Sequence, residues 1–459
     1  MVSMKQFIKK VLNVKDCVIE DVRLAPRYNE PFVIQIVLHP KKSLQKICPH
    51  CGRKCPGYDT RTEFKKWRAP DFNGIKVELC YKPIRVLCPV HGVVTAAVPW
   101  AFHDSSFTKD FDMISTFLAM NINKKVASEY LRVDWHTIGR CISRVRKYLE
   151  PNPENRLDGL VDIGIDETSF RKGHDYITTV IDHRRNIIVW AAEGHSIETL
   201  SKFFELLTPE QRASIQTVTG DGAKWIDTCI AKYIPHATRV LDAFHVVGWA
   251  QEALDKLKRD RWRDALQGLR ELQADAQRKR GRPSLEDSAT TKALNEAKAK
   301  VNNIKGSTYA LGKAPENLTE KQKQKLEFIA NTDKQLFRAY ELKEQLRLIL
   351  HSESVLEAKA ELDSFFWRAT HSRIPYFKEL AYKTRRHEDH ILNTIETGLS
   401  NARVESYNNK IKLFIRKAYG FRNIESMIDL IMLGCSNIFI PLPNRGGMGI
   451  KVAANSSVH

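Results

Sequence analysis

Three carboxylates stand in strongly patterned surroundings: Asp166 in GIDET, Asp221 in VTGDGA and Glu405 in ARVESYNNK. The first two close short apolar runs that read as strands, and the third lies on a basic amphipathic helix far downstream. Carboxylates that converge from different elements repel one another and lose hydration unless a cation neutralises them. Two divalent ions held by such groups cut and join phosphodiesters by in-line displacement, and oxygen donors suit Mg²⁺ or Mn²⁺. Asp162 and Glu167 compete with Asp166 for the first position. Asp162, four residues earlier, faces the same side of a strand; Asp166 is preferred because it falls at the expected strand end. A solvated helix glutamate paired with Asn408, Asn409 or Lys412 is the other account of Glu405.

A second constellation uses sulfur. Of nine cysteines, five fall between Cys48 and Cys88, while Cys17, Cys141, Cys229 and Cys435 are scattered. An odd count with one cluster points to a reduced chain with one metal site and not to a disulfide framework. Cys48 and Cys51 form one knuckle and Cys88 and His91 another, each followed by Gly. Two such knuckles are a zinc-ribbon signature with a Cys3His set and one structural Zn²⁺. The Gly lets the chain turn so that backbone N–H groups face the thiolates. Cys55 and Cys80 are possible substitute ligands, and two turns with buried cysteines are the alternative.

The chain has 459 residues, 42% hydrophobic and 28% charged, with a formal net charge of +19. That length calls for two to four domains. So basic a balance favours a polyanion bound by counterion release. No apolar run reaches membrane-spanning length, and MVSMKQFIKKVLNV lacks a signal-peptide core. An intracellular location is expected.

The elements that must position these groups follow in order. Phe32 to Leu38 and Ile75 to Tyr81 read as strands of a β-rich module, 1–105. Residues 106–150 give three helical stretches, Phe111–Met120, Val126–Leu131 and Trp135–Leu149. The last has Asp134 as its N-cap and an apolar face of Trp135, Ile138, Ile142, Val145 and Leu149. His136, Thr137, Arg140, Arg144 and Lys147 lie opposite, an arrangement that suggests a helix-turn-helix reading DNA; an ordinary three-helix packing unit is the alternative. After a Pro151–Asn155 linker, 155–245 reads as three antiparallel strands followed by helix, strand, helix, strand. This is the order of an RNase H-like α/β core, in which the first and fourth strands are neighbours. Residues 246–395 read as a helical insertion, 396–440 as the core's closing segment with Glu405, and 441–459 as a disordered tail. Within the insertion, Arg280 and Arg282 sit in an AT-hook-like RKRGRP run, for which a basic connecting loop is the preferred reading. Trp367 reads as bundle core, with base stacking as the alternative.

Taken together, the chain resembles the ISL-three family of DDE transposases of bacterial insertion sequences over nearly its whole length. The resemblance rests on the two knuckles, the helix-turn-helix, Gly164-Ile-Asp166-Glu, Arg171-Lys-Gly-His-Asp-Tyr176, Thr219-Gly-Asp221-Gly, Asp242-Ala-Phe-His245 and Ser400-Asn-Ala-Arg-Val-Glu405-Ser-Tyr-Asn. His91 departs from the commoner cysteine. The resemblance implies that Asp166, Asp221 and Glu405 hold two Mg²⁺ or Mn²⁺ ions, with Asp242 and His245 near the site. It also implies end binding, strand cleavage and strand transfer on double-stranded transposon ends and target DNA. A homodimer or higher oligomer on DNA and a location at the bacterial nucleoid go with that reading. A regulator or domesticated transposase that binds DNA without cutting it is the alternative.

Overall fold

The computed structural model describes residues 4–12, 14–27, 30–171, 175–278, 285–399, 402–418 and 423–443. The chain is mixed α/β. Its first segment holds α1 (Met4–Val11), β1 (Cys17–Arg27), β2 (Glu30–Pro40), β3 (Gly57–Thr60), β4 (Lys65–Phe72), β5 (Ile75–Tyr81), β6 (Ile84–Cys88) and β7 (Gly92–Thr95). Two sheets result, in the orders β1-β2-β5-β4 and β3-β6-β7. Alternation in β2, β4 and β5 puts Ile36, Leu38, Trp67, Val77 and Leu79 on one face, where Trp100 seals them.

Helices α2 (Lys109–Asn121), α3 (Lys124–Leu131) and α4 (Trp135–Leu149) follow. Asp134 caps α4 by accepting from the His136 N–H at 2.7 Å. Ile138, Ile142 and Val145 are fully buried, as the 3–4 spacing predicts. Thr137 and Arg144, expected on the outer face, are otherwise engaged. Thr137 is buried. Arg144 makes two 2.8 Å bonds to the fully buried carboxylate of Asp112 on α2. Arg144 therefore neutralises an internal charge.

The central sheet comprises β8 (Asp162–Arg171), β9 (Asp175–Asp182), β10 (Ile187–Glu193), β11 (Thr217–Gly220) and β12 (Thr238–Leu241), ordered β10-β9-β8-β11-β12. The first three strands are antiparallel and the last two run parallel to β8. Between them lie α5 (Ile197–Leu206), α6 (Pro209–Ser214) and α7 (Lys224–Tyr233). The short α6, which has a capping box at Thr208 and Gln211, is not foreseen from the periodicity. The strand expected to end at Asp166 runs on to Arg171, because β8 forms a long hairpin with β9 beyond the point where β11 stops. Ile163, Ile165 and Val218 pack against α5 and α7 on one face.

The segment that follows is helical, as expected: α8 (Ala243–Arg278), α9 (Leu285–Lys305), α10 (Thr308–Gly312), α11 (Glu320–Thr332), α12 (Lys334–Ile349), α13 (Val355–Thr370), α14 (Pro375–Arg386) and α15 (Glu388–Thr397). At 1.5 Å per residue, α8 spans about 54 Å. These helices share one apolar cluster that reaches Leu241 of β12. Phe365 and Phe366 belong to it, but Trp367 does not: it is 65% exposed and stacks on His371. The helix phase turns it outward, so its assignment to the bundle core is corrected.

Two helices close the chain, α16 (Ala402–Lys417) and α17 (Ile424–Gly434). Ile411, Phe414, Met427 and Ile431 join Ile177, Ile181 and Ile188 of the sheet and Ile138 and Ile142 of α4 in one cluster. Asp429 of α17 accepts from Ser143 and Arg146 of α4, each at 2.5 Å. Helix α4 thus packs on α17, which with α16 covers the second face of the central sheet. Arg280, Arg282 and the tail from Asn444 lie outside the described residues.

Candidate active site and metal centre

Parallel pairing aligns the acids. Thr219 pairs with Gly164, and Gly220 pairs with Leu241. Two residues beyond the first pair, Asp166 and Asp221 stand side by side on neighbouring strands. One residue beyond the second, Asp242 stands beside Asp221. Three aspartates therefore form a row, Asp166 within β8 and Asp221 and Asp242 just past the carboxyl ends of β11 and β12, the edge where open α/β sheets bind ligands. The Asp242 N–H donates to Gly220 O at 2.9 Å, and His245 Nε2 lies 3.5 Å from Asp242 Oδ2. Asp242 and His245 therefore lie beside Asp221. Asp162 sits at the opposite end of β8, paired with Arg184 at 2.7 Å, which removes it as a rival.

Asp166 is 8% exposed. It accepts from the Glu167 N–H at 2.7 Å and from Asn408 Nδ2. Burial pushes its carboxyl up to about 6, opposed by those hydrogen bonds. Burial, with Asp221 and Asp166 adding repulsion, lifts Glu167 to about 7. Glu167 Oε2 is buried with no hydrogen-bond partner among the described residues. A divalent cation would offset the repulsion among these carboxylates, although Asp166, Glu167 and Asp221 do not by themselves bring three ligand atoms within 4.8 Å of one another. Glu405 lies on α16, and its side chain is outside the described residues. Asn408, three positions later, is buried and bridges α16 to β8, accepting from Thr168 Oγ1 at 2.6 Å as it donates to Asp166. The sequence offers Asn408 only as a neighbour of Glu405; its bond to Asp166 is a property of the tertiary fold.

In the first segment, Cys48, Cys51, Cys88 and His91 bring one ligand atom each within 4.8 Å of one another. Cys51 Sγ–Cys88 Sγ and Cys48 Sγ–His91 Nδ1 are both 3.7 Å, and Cys88 Sγ–His91 Nδ1 is 3.5 Å. A tetrahedral zinc with ordinary bond lengths places two thiolates about 3.8 Å apart and a thiolate and an imidazole about 3.6 Å apart. The four residues fit that ion. Gly52 and Gly92 adopt φ of +71° and +66°, the left-handed turn each knuckle needs. The Val90 N–H and His91 pull the Cys88 thiol down to about 5, poised as a thiolate. Cys55 is buried in the same cluster. Cys80 sits on β5 of the other sheet and donates to Glu78 O, so it cannot serve as a substitute ligand.

Near α3, α4 and the start of α17 an open groove is lined by Lys124, Lys125, His136, Arg140, Lys147 and Arg171, among others. His136, Arg140 and Lys147 are exposed.

Residues 163–431, more than half of the chain, match a transposase family of the DDE type, ISL3. Two Mycobacterium tuberculosis proteins, both named transposase for insertion sequence element IS1557, are 39% identical over 408 residues, covering 89% of this chain and 90% of theirs. A Bordetella parapertussis transposase for insertion sequence element IS1001 is 24% identical over 395 residues, 85% of this chain and 89% of that one. The chain belongs to the ISL3 family of transposases. Among the described residues, no helix is long and apolar enough to cross a membrane.

Proposed function

We propose that the protein binds the ends of an insertion sequence and catalyses metal-dependent cleavage and strand transfer there, on an RNase H-like core interrupted by the helical insertion. The observation that carries this reading is the alignment of Asp166 with Asp221 just beyond the last parallel pair. Asp166, Asp221 and Glu405 would hold two Mg²⁺ or Mn²⁺ ions. When bound, such ions lower the cost of charge on the attacking and leaving oxygens. The chain's own contribution is position. β8 and β11 fix two carboxylates, and Asn408 orients Asp166 and ties α16 to β8. The buried surroundings of Asp166 and Glu167 strengthen each electrostatic contact there. The retention of all three acids favours catalysis over a role as a regulator.

The remaining parts fit the same activity. Cys48, Cys51, Cys88 and His91 would hold a structural zinc in a ribbon. The groove of His136, Arg140 and Lys147 would take duplex DNA, in the bacterial cytoplasm at the nucleoid, with the chain acting as a homodimer or larger assembly. The domain limits given above go with this reading.

A strand-cleavage and strand-transfer assay on element ends with Mg²⁺ tests the proposal. Asp166→Asn, Asp221→Asn and Glu405→Gln should each abolish cleavage and leave end binding nearly intact. Wild-type cleavage by one of them removes that residue from the site, and a wild-type chain that binds ends but never cuts them establishes the regulator.

A further inference from the structure

A third group of ligand-type side chains meets where the central sheet joins the helical segment, apart from both sites above. Asp227 lies on α7, His387 at the junction of α14 and α15, and His390 in the first turn of α15. One ligand atom from each lies within 4.8 Å of the others. The two imidazole Nδ1 atoms are 3.5 Å apart. A tetrahedral zinc about 2.0–2.1 Å from each nitrogen holds a pair of them about 3.3 Å apart. We propose that Asp227, His387 and His390 form a second transition-metal site, which takes Zn²⁺ or a similar borderline ion and leaves a position open to water.

The surroundings support this. Metal-binding carboxylates are themselves held by hydrogen bonds. Asp227 Oδ1 accepts from Arg239 Nε at 3.0 Å, and Arg239 Nη1 is anchored on Val240 O at 2.6 Å. The helix bearing His390 is pinned to β12: Asn393 Nδ2 donates to Arg239 O at 2.9 Å and Thr394 Oγ1 to Leu241 O at 2.7 Å. These bonds fix His390 relative to α7 without any ion. Two imidazoles and one carboxylate suit zinc, nickel or cobalt better than Mg²⁺, which prefers all-oxygen donors. The nearby Arg239 guanidinium opposes any cation, so binding here should be weaker than at a thiolate set.

The location gives the site a consequence. A methyl group on Gly222 would stand 2.7 Å from the Trp249 ring and 3.4 Å from His387 Nε2. The turn that follows Asp221 therefore packs on Trp249 of α8 and on His387, one of the three residues of this site. An ion bound there would tie α7 to the α14–α15 junction and stiffen the backbone next to Asp221.

The test uses the full chain without DNA, in excess Mg²⁺ so that the oxygen-rich carboxylates are occupied, with Zn²⁺ alone as the probe in equilibrium dialysis. His387→Gln, His390→Gln and Asp227→Asn should each weaken one class of bound zinc by at least about tenfold, and Cys88→Ser should leave that class unchanged. Co²⁺ added to a Cys48→Ser, Cys88→Ser chain should give d–d absorption without thiolate charge transfer, lost on adding His390→Gln. Zinc binding in all three variants within about twofold of wild type would overturn the proposal. Absence of the cobalt bands from the folded cysteine variant would overturn it as well, whatever the histidine variants do.

Discussion

Asn408 on α16 donates to the carboxylate of Asp166 on β8, a residue 242 positions earlier. The same side chain accepts from Thr168 Oγ1, so one amide satisfies two buried groups and fixes the docking of a helix on a strand. Position 405 lies three residues before Asn408, on the same side of the helix. The bond therefore sets where α16 crosses the sheet.

Asn408→Ala should leave Asp166 and Thr168 each short of a partner, at a cost of about 1–3 kcal/mol per unsatisfied group. Urea unfolding should show the loss, and cleavage of element ends should fall even at temperatures where the variant is fully folded. A variant with wild-type stability and wild-type cleavage would show that α16 is held by its apolar stripe alone.

The raised carboxyl of Asp166 makes a prediction with a definite sign. Its folded value of about 6 exceeds its ordinary 3.8, so the folded state holds the proton more tightly than the unfolded chain. The stabilisation is complete below about pH 4 and is lost as pH rises through 6. Without Mg²⁺, Asp166→Asn should therefore stabilise the protein at pH 8, by about 1–3 kcal/mol, and have little effect at pH 4. Added Mg²⁺ should stabilise wild type more than the variant, increasingly so above pH 6. Equal urea midpoints for the two proteins at pH 8 would refute this. The measurement must avoid chelators, which would also remove any zinc held by the cysteines.

Much of the core could be read before any coordinates. The ranges Ile75–Tyr81 and Trp135–Leu149 coincide with the observed elements, because each has a clean apolar period and a turn or cap at its ends. The pairing of Asp166 and Asp221 followed from the strand order. Other features were not legible, for physical reasons. Whether Arg144 meets a phosphate or Asp112 depends on the contact between α2 and α4, which local period does not encode. Trp367 and the two buried phenylalanines before it look alike in composition, and only the helix phase separates them. Asp227 and His387 are 160 positions apart (387 − 227), so their meeting is a property of the tertiary fold.

The basic groove separates two roles that the sequence merged. Arg140→Ala and Lys147→Ala should weaken binding to any duplex and lower the salt slope by about one each, with little change in stability. Arg144→Ala should instead strand the buried Asp112 carboxylate and destabilise the protein by about 3–5 kcal/mol. Titrations at several salt concentrations, set beside thermal melts, distinguish the two patterns. An Arg144→Ala chain that melts like wild type but binds DNA with a reduced salt slope would return this arginine to the DNA-facing set.

The thiolate centre yields the last prediction, which is best made on the whole chain. A fragment of residues 1–150 would bare Ile138 and Ile142, whose apolar partners lie on the central sheet and α17. In the whole chain, Cys48→Ser or Cys88→Ser should release a tightly bound zinc and impair binding to element ends. The small β3-β6-β7 sheet buries little besides Cys48, Cys55, Val86 and Cys88, so loss of a zinc bound there should unfold it. The central sheet has its own core, so far-UV circular dichroism should change little, and Mg²⁺-linked stabilisation should persist. Cys80→Ser should retain the zinc, because Cys80 belongs to the other sheet. Cys55→Ser should retain it too, since the set of four is complete without it. If Cys55→Ser lost the metal and the His91→Ala chain kept it, the ligand set would be Cys48, Cys51, Cys55 and Cys88, with His91 as a neighbour.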